Sequence, residues 1–122
     1  PMVIDHGAKP DIAASEFASW SDGLTAMAKM PQVCCKLSGL LTEANAEQGL
    51  DELRPYIVHM YHLFGAERLM WGSDWPVLRL APNSRYAGYG DWLALAKQLL
   101  PIASNTELDA IFGLTAKHFY RF

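Results

Sequence analysis

The features that mark a membrane or nucleic-acid-binding protein are missing from this sequence. Its apolar runs are all well short of the roughly 18 residues that cross a bilayer. Lysine and arginine number 10 against 13 aspartates and glutamates, which gives a net charge of −3. Nucleic acid and anionic membranes attract a basic face, so we expect neither as a partner. The opening PMVIDHGAKP also lacks the basic-then-apolar order of a secretion leader and is typical of folded core.

Cysteine is scarce too, and the two that occur, Cys34 and Cys35, are adjacent in an apolar run. Neighbouring residues of a strand point to opposite faces, so a disulfide between them would be strained. We therefore expect two reduced thiols and a cytoplasmic protein. The sequence also contains no Cys/His spacing for structural zinc, no glycine-rich phosphate loop and no nucleophile-elbow serine.

What the sequence does contain is an alternation of short apolar runs with longer segments of helical period. The runs 2–5, 33–37 and 69–72 predict strands, and the segments 11–30 and 50–64 predict the helices between them. This order is typical of βαβ units, in which a parallel sheet is built through right-handed crossovers. Ligands of such sheets bind at the carboxyl ends of the strands.

Individual residues predict where the helices begin and end. Gly65 predicts a left-handed stop for the second helix, and Pro55 predicts a late start or a kink near its beginning. Farther along, Asp91 predicts the cap of a third helix. Ser104 and Glu107 have the spacing of a capping box for a fourth.

Polar side chains follow all three predicted strands. His6 follows the first strand, Lys36 and Ser38 lie at the end of the second, and Asp74 follows the third. On one edge of a sheet, such a set could perform acid–base chemistry or hold a metal. Each residue also has a structural alternative: His6 as a loop residue bonded to backbone, Asp74 as a turn former. Lys36 lies inside an apolar strand and needs either a partner or a function.

Strand alternation makes this prediction more specific. His6 would share a sheet face with Ile4, and Asp74 would share one with Met70. If these faces and that of Lys36 point the same way, three chemically capable side chains meet in one mouth.

The strand-end segments resemble a known family. In their order and separations, VIDHGAKP, CCKLSGL and ERLMWGSDWPV are similar to the last three strand-end motifs of the amidohydrolase-related TIM-barrel lactonases. That family includes L-fuconolactonase, related sugar-lactone hydrolases and 2-pyrone-4,6-dicarboxylate lactonase. The ending AIFGLTAKHFYRF is similar to the family's closing helix. The resemblance implies an α/β fold in which residues 1–122 form a single C-terminal part of a (β/α)8 barrel, comprising strands six to eight.

The resemblance also implies a reaction. The aspartate of GSDWP falls on Asp74, which would act as the general base that activates water against the ester carbonyl of a small lactone. The histidine of the DHxxKP motif falls on His6, which would bind the carbonyl oxygen. In some members this histidine binds a divalent metal, so the resemblance leaves two alternatives: no cofactor, or a metal such as zinc held by His6 and Asp74.

The remaining substrate contacts implied by the resemblance are Lys36, Ser38, Trp75 and Arg79. A sugar lactone is the expected substrate. The pyrone dicarboxylate is the weaker alternative, because its two carboxylates favour several arginines, and only Arg79 and Arg85 lie near the site.

One departure from the family limits these expectations. A closed barrel needs eight strands and about 250 residues, whereas this sequence supplies three strands and lacks the family's HxH pair. Three strands leave open sheet edges. We therefore expect a fragment that is inactive alone and that associates with a further chain or with copies of itself. The alternative is a non-catalytic α/β module that self-associates through those edges.

Overall fold

The structure is a computed structural model that describes residues 1–102 and 104–122. Its strands and helices are β1 (Met2–Ile4), α1 (Ala18–Ala28), β2 (Val33–Leu37), α2 (Leu50–Arg68), β3 (Leu69–Trp71), α3 (Tyr89–Leu99), α4 (Asn105–Asp109) and α5 (Thr115–Tyr120). A π-helical turn, Ala110–Leu114, joins α4 to α5. In the described ranges, no helix has both the length and the apolar character that crossing a membrane demands.

The three strands form one parallel sheet in the order β1-β2-β3. This confirms the predicted α/β fold with a parallel sheet. Since the strands are parallel, their carboxyl ends lie at one edge, and the loops that follow them share that edge. We call this edge the rim, defined as residues 5–9, 38–40 and 72–75.

One face of the sheet is covered by the helices. Val33, Cys35 and Leu37 alternate along β2 and are all 0% exposed, packed in the core formed with the helices. Burying one such side chain contributes about 1.5–3 kcal/mol. Lys36 lies between them on the opposite face, where it pairs in register with Met70 of β3.

Helix α1 is shorter than the sequence predicts. The predicted segment begins at residue 11, but the helix begins at Ala18. The Asp11 carboxylate accepts a hydrogen bond from the Ala14 N–H (3.0 Å), and Ser15 has a left-handed φ of 55°. A left-handed residue with a side chain cannot continue a right-handed helix, and residues 12–15 form turns instead.

Helix α2 begins at Leu50, as the segment 50–64 predicts, so of the two alternatives for Pro55 the late start is wrong. The Glu52 carboxylate accepts a hydrogen bond from the Gly49 N–H (2.8 Å) and caps the helix ahead of the proline. The predicted left-handed glycine is confirmed, because Gly65 has φ 60° and ψ −177°. The helix resumes after it for one short turn that ends at Arg68.

The two later caps have different outcomes. The predicted cap of α3 at Asp91 is wrong, because the N-cap position is Gly88 and Asp91 lies within the first turn. A carboxylate in the first turn is still stabilised by the positive end of the helix dipole. The predicted N-cap of α4 at Ser104 is confirmed. The Ser104 Oγ accepts from the Glu107 N–H (3.3 Å) and donates to the Glu107 Oε2 (3.1 Å).

Candidate active site

His6 reaches the rim on a run of left-handed backbone. The chain leaves β1 at Ile4, and the four residues from His6 to Lys9 have φ values of 53°, 57°, 63° and 51°. Only glycine adopts this region freely; each of the other three costs about 1–2 kcal/mol. The turn therefore needs contacts from outside the loop to hold it.

Those contacts come from three helical segments: α1, the 3-10 turn Leu41–Glu43 and α2. The Trp20 Nε1 of α1 donates to the Gly7 carbonyl (2.7 Å), and the Lys9 ammonium forms an ion pair with Glu43 (2.9 Å). A Cβ on Gly7 would lie 2.9 Å from the Met60 Sδ, so the loop backbone packs directly on α2. Together these contacts fix where the His6 ring emerges.

The loop after β2 receives the His6 ring. His6 Nδ1 and Ser38 Oγ share a hydrogen bond of 2.9 Å, and Ser38 is only 2% exposed. Gly39 follows with φ 65°, and a Cβ there would lie 2.7 Å from His6 Cγ and Nδ1. Glycine is needed at position 39 for both reasons: the backbone conformation and the ring packed against it.

Asp74 is positioned by the loop after β3. The Gly72 carbonyl accepts from the Trp92 Nε1 (2.9 Å), and the Asp74 carbonyl accepts from the Leu78 N–H (2.8 Å). Between these anchors Asp74 has a left-handed φ of 56°. Asp74 Oδ1 then lies 3.9 Å from His6 Nε2. The Asp74 side chain is 14% exposed and the His6 side chain is 33% exposed.

At the rim, the His6 imidazole therefore lies between the Ser38 hydroxyl and the Asp74 carboxylate. Because a serine hydroxyl both donates and accepts, Ser38 can hold either neutral tautomer of His6. His6 Nε2 can therefore donate to an oxygen beside Asp74 or offer its lone pair there. The Asp74 carboxylate is partly exposed and within reach of a water molecule at the same point.

The structure brings together His6, Ser38 and Asp74, as the strand-end positions predict, but by a different route. Ile4 pairs with Cys35, whose side chain lies in the helix-covered core, so extending the alternation to His6 gives the wrong face. Alternation applies only to extended backbone, and the chain turns left-handed at His6 and Asp74. The predicted sharing of strand faces is therefore wrong for His6.

Lys36 is engaged within the chain. Its Nζ lies 2.7 Å from Asp5 Oδ1 and 5.8 Å from the centroid of the Tyr120 ring. The pKa of Lys36 is raised, chiefly by the hydrogen bond to Asp5 and further by the Tyr120 hydroxyl. The pKa of Asp5 is lowered, mainly by the same hydrogen bond to Lys36. The lysine has the partner that its place in an apolar strand requires.

The two other predicted substrate contacts lie at the outer part of the rim and just beyond it. Trp75 is 61% exposed, and Arg79 is exposed on the 3-10 turn Val77–Leu80. Within the described part of the chain, no hydrogen bond or ion pair joins Arg79 to His6 or Asp74. Both side chains can reach a ligand at the rim only from the solvent side.

Sequence reasoning missed the residues that hold the site in place: Asp5, Trp20, Glu43, Trp92 and Tyr120. Asp5 was signalled by its position next to a histidine, opposite an unpaired strand lysine. The two tryptophans gave no such signal, because each donates to a backbone carbonyl that only the fold brings near.

The donors at the site bear on metal binding. Imidazole nitrogen and carboxylate oxygen are ordinary zinc ligands, and catalytic zinc sites use three protein ligands. His6 and Asp74 provide one of each, but the described residues contain no group of three or more His, Cys, Asp or Glu suited to a metal ion. The described residues thus fit two positions of such a site, and further ligands would have to come from elsewhere.

Comparison with known proteins identifies several relatives. The amidohydrolase family model matches residues 1–122. The chain is 45% identical over 121 residues to the L-fucono-1,5-lactonase of Burkholderia ambifaria, covering 98% of this chain and 41% of that protein. The L-fucono-1,5-lactonase of Burkholderia multivorans is 37% identical over 130 residues, covering 98% and 42%.

A solved structure agrees with these relatives. The crystal structure of an amidohydrolase from Burkholderia multivorans with bound zinc superimposes with a TM-score of 0.85 at 36% identity, over 98% of this chain and 43% of that one. The chain thus spans about two fifths of the length of the proteins it matches. The family model, however, matches this chain from residue 1 to residue 122, and the chain belongs to the amidohydrolase family.

Proposed function

We propose that this chain supplies the carboxyl-terminal part of the active site of a lactone hydrolase, with Asp74 as the general base. The observation that carries the proposal is the approach of Asp74 Oδ1 to His6 Nε2, 3.9 Å apart, at the carboxyl ends of parallel strands. Two relatives of the chain are L-fucono-1,5-lactonases, which supports a sugar lactone as the substrate.

The proposed reaction follows from the residue types. Asp74 takes a proton from a water molecule as the water oxygen attacks the ester carbonyl carbon. His6 Nε2 donates to the carbonyl oxygen as negative charge develops there. When the ring C–O bond breaks, the leaving alkoxide receives the proton from Asp74. The product is an open hydroxy acid, and the carboxylate returns to its starting state.

A divalent metal would replace the hydrogen bond that His6 donates in this scheme, because Nε2 cannot donate to the carbonyl oxygen while its lone pair binds a metal. His6 and Asp74 are the two residues of this chain that would hold it. A zinc ion bound there would polarise the carbonyl oxygen and lower the pKa of a bound water. The relative crystallised with zinc supports this alternative. Ser38 would then keep His6 in the tautomer whose Nε2 lone pair faces the ligand.

Substrate recognition is assigned to side chains at the outer part of the rim and just beyond it. Trp75 offers an exposed ring on which the apolar face of a sugar can stack, and Arg79 can donate hydrogen bonds to ring hydroxyls. Ser38 acts through His6. Lys36 affects the site indirectly, through its ion pair with Asp5.

The three strands are proposed to be strands six to eight of a (β/α)8 barrel. The outer edges of β1 and β3 are unpaired by any described strand, and the described residues supply only part of a ligand set. We therefore expect the 122-residue chain to be inactive alone and to need additional strands, from a longer chain or from a partner, along these edges.

A chimera tests the proposal. In it, this chain replaces the matching segment of the Burkholderia ambifaria lactonase, and hydrolysis of L-fucono-1,5-lactone in H₂¹⁸O is followed by mass spectrometry. The folded chimera should form the hydroxy acid with one ¹⁸O in its carboxylate, because water attacks the carbonyl, whereas the chain alone should not accelerate the reaction.

Three outcomes would contradict the proposal. A folded chimera that hydrolyses no lactone would exclude the catalytic assignment. Incorporation of ¹⁸O at the hydroxyl would exclude attack at the carbonyl. Self-association of the inactive chain into a stable closed oligomer, with an inactive chimera, would support the non-catalytic module.

A further inference from the structure

The Lys36–Asp5 pair lies immediately next to the proposed site. Asp5 is the residue before His6, and it stands where the chain passes from β1 into the left-handed run. Lys36 belongs to β2, the central strand of the sheet. Their contact of 2.7 Å therefore joins the start of the His6 loop to the central strand.

Lys36 is itself held on its other side. Tyr120 ends helix α5, and its ring lies 5.8 Å from the Lys36 Nζ. An ammonium over an aromatic face is attracted by the ring quadrupole. A continuous set of contacts thus runs from Tyr120 through Lys36 and Asp5 to the residue that carries the imidazole.

We propose that Lys36 is a positioning residue for His6, acting through Asp5 and anchored by Tyr120, rather than a residue that contacts the substrate. The three non-glycine positions of this run, His6, Ala8 and Lys9, would otherwise relax, since left-handed backbone with a side chain is intrinsically unfavourable. The Lys36–Asp5 contact holds the first end of this run, and the Lys9–Glu43 pair holds the other. With its ammonium bonded to Asp5, Lys36 has its charge satisfied inside the protein.

The first test uses NMR on the 122-residue chain and does not depend on catalysis. Asp5→Asn is the safest variant, because the Asp5 side chain is 60% exposed and its loss does not threaten the core. Asp5→Asn and Lys36→Met should shift the His6 ring resonances and the backbone shifts of residues 6–9 in the same direction. The double variant should add nothing, because either change removes the same ion pair.

Two further variants separate positioning from a general loss of order. Lys36→Arg should keep the wild-type His6 resonances, since the guanidinium also binds a carboxylate. Lys97→Met is the matched control, because Lys97 also lies over an aromatic ring, 5.3 Å from that of Phe112, but on α3. Unchanged His6 resonances in both Asp5→Asn and Lys36→Met, or additive shifts in the double variant, would overturn the proposal.

A second test rests on the proposed function and uses the chimera. Lys36→Met should lower kcat for the lactone roughly 10- to 100-fold with KM nearly unchanged, because misplacing a catalytic group slows chemistry more than binding. A raised KM with unchanged kcat would show a substrate contact and overturn the proposal. If the parent chimera hydrolyses no lactone, the proposed function fails, while the NMR test still decides the role of Lys36.

Discussion

The body of the sheet and its rim differ in backbone conformation and in the polarity of their side chains. In the body, extended strands place Val33, Cys35 and Leu37 in the core at 0% exposure, and regular alternation decides which residues are buried. At the rim, polar residues occupy left-handed backbone, as His6 and Asp74 do. Such conformations cost about 1–3 kcal/mol each. Packing in the body therefore supports a strained rim, and the two regions should respond differently to substitution.

The largest expected effect is on the body. Ile57 is 0% exposed on α2, whereas Leu80 is 76% exposed beside the rim. Ile57→Ala should lower the free energy of unfolding by about 2–5 kcal/mol, through lost burial and the cavity left behind. Leu80→Ala removes comparable apolar volume and should change it by no more than about 0.5 kcal/mol. Urea unfolding monitored by circular dichroism measures both, and equal losses would contradict the assignment of the core.

Two glycines allow a finer comparison. Gly39 and Gly65 both have positive φ, but a Cβ would meet the His6 ring at Gly39 and nothing within 4 Å at Gly65. Each substitution to alanine should cost about 1–3 kcal/mol through backbone strain. Only Gly39→Ala should also displace the His6 ring, which NMR of that ring would detect.

Gly23→Ala provides the control for the glycine pair. Gly23 lies in α1 with open space at its Cβ, so alanine there should stabilise the chain by about 0.5–1 kcal/mol. If Gly65→Ala moved the His6 resonances as far as Gly39→Ala does, direct contact between Gly39 and His6 would not be the cause.

The last comparison, which has no effect on stability near neutral pH, distinguishes the two faces of β2 through their cysteines. Burial raises the pKa of Cys35 from 9.0 to about 12. The unfolded thiol ionises first as pH rises, so the stability present below pH 9 should fall between about pH 9 and 12, by at most about 1.4 kcal/mol per pH unit. Cys35→Ala should remove this component of the pH dependence.

A labelling experiment completes the cysteine comparison. Cys34 is half-buried on the other face, so a thiol reagent should modify it in the native chain and reach Cys35 only after unfolding. Equal labelling of both residues in the native chain would contradict the burial of Cys35.

The body of the sheet was predictable from the sequence, because hydrophobic period reports burial directly. The three strands, their parallel order and the buried stripe of α2, including Ile57 and Met60, follow from that period. The N-cap at Ser104 was predictable for a similar reason, since its hydrogen bond joins residues three apart.

The rim was only partly predictable. Its position at the strand ends follows from parallel topology, and so does the meeting of His6, Ser38 and Asp74. The direction of the His6 side chain does not follow, because left-handed residues do not obey strand alternation. The partners of Lys36 lie 31 residues before it and 84 residues after it, at Asp5 and Tyr120, and no local pattern reports contacts between residues so distant in sequence.

The central claim is that Asp74 is the base of a lactone hydrolase. It is tested most directly by kcat/KM of the chimera for L-fucono-1,5-lactone, with Asp74→Asn compared with Asp22→Asn, an exposed aspartate of α1. Asp74→Asn should lower kcat/KM by about 10²- to 10⁴-fold while the protein remains folded, and Asp22→Asn should leave it unchanged. A folded Asp74→Asn chimera that keeps kcat/KM within a few-fold of its parent would contradict the claim.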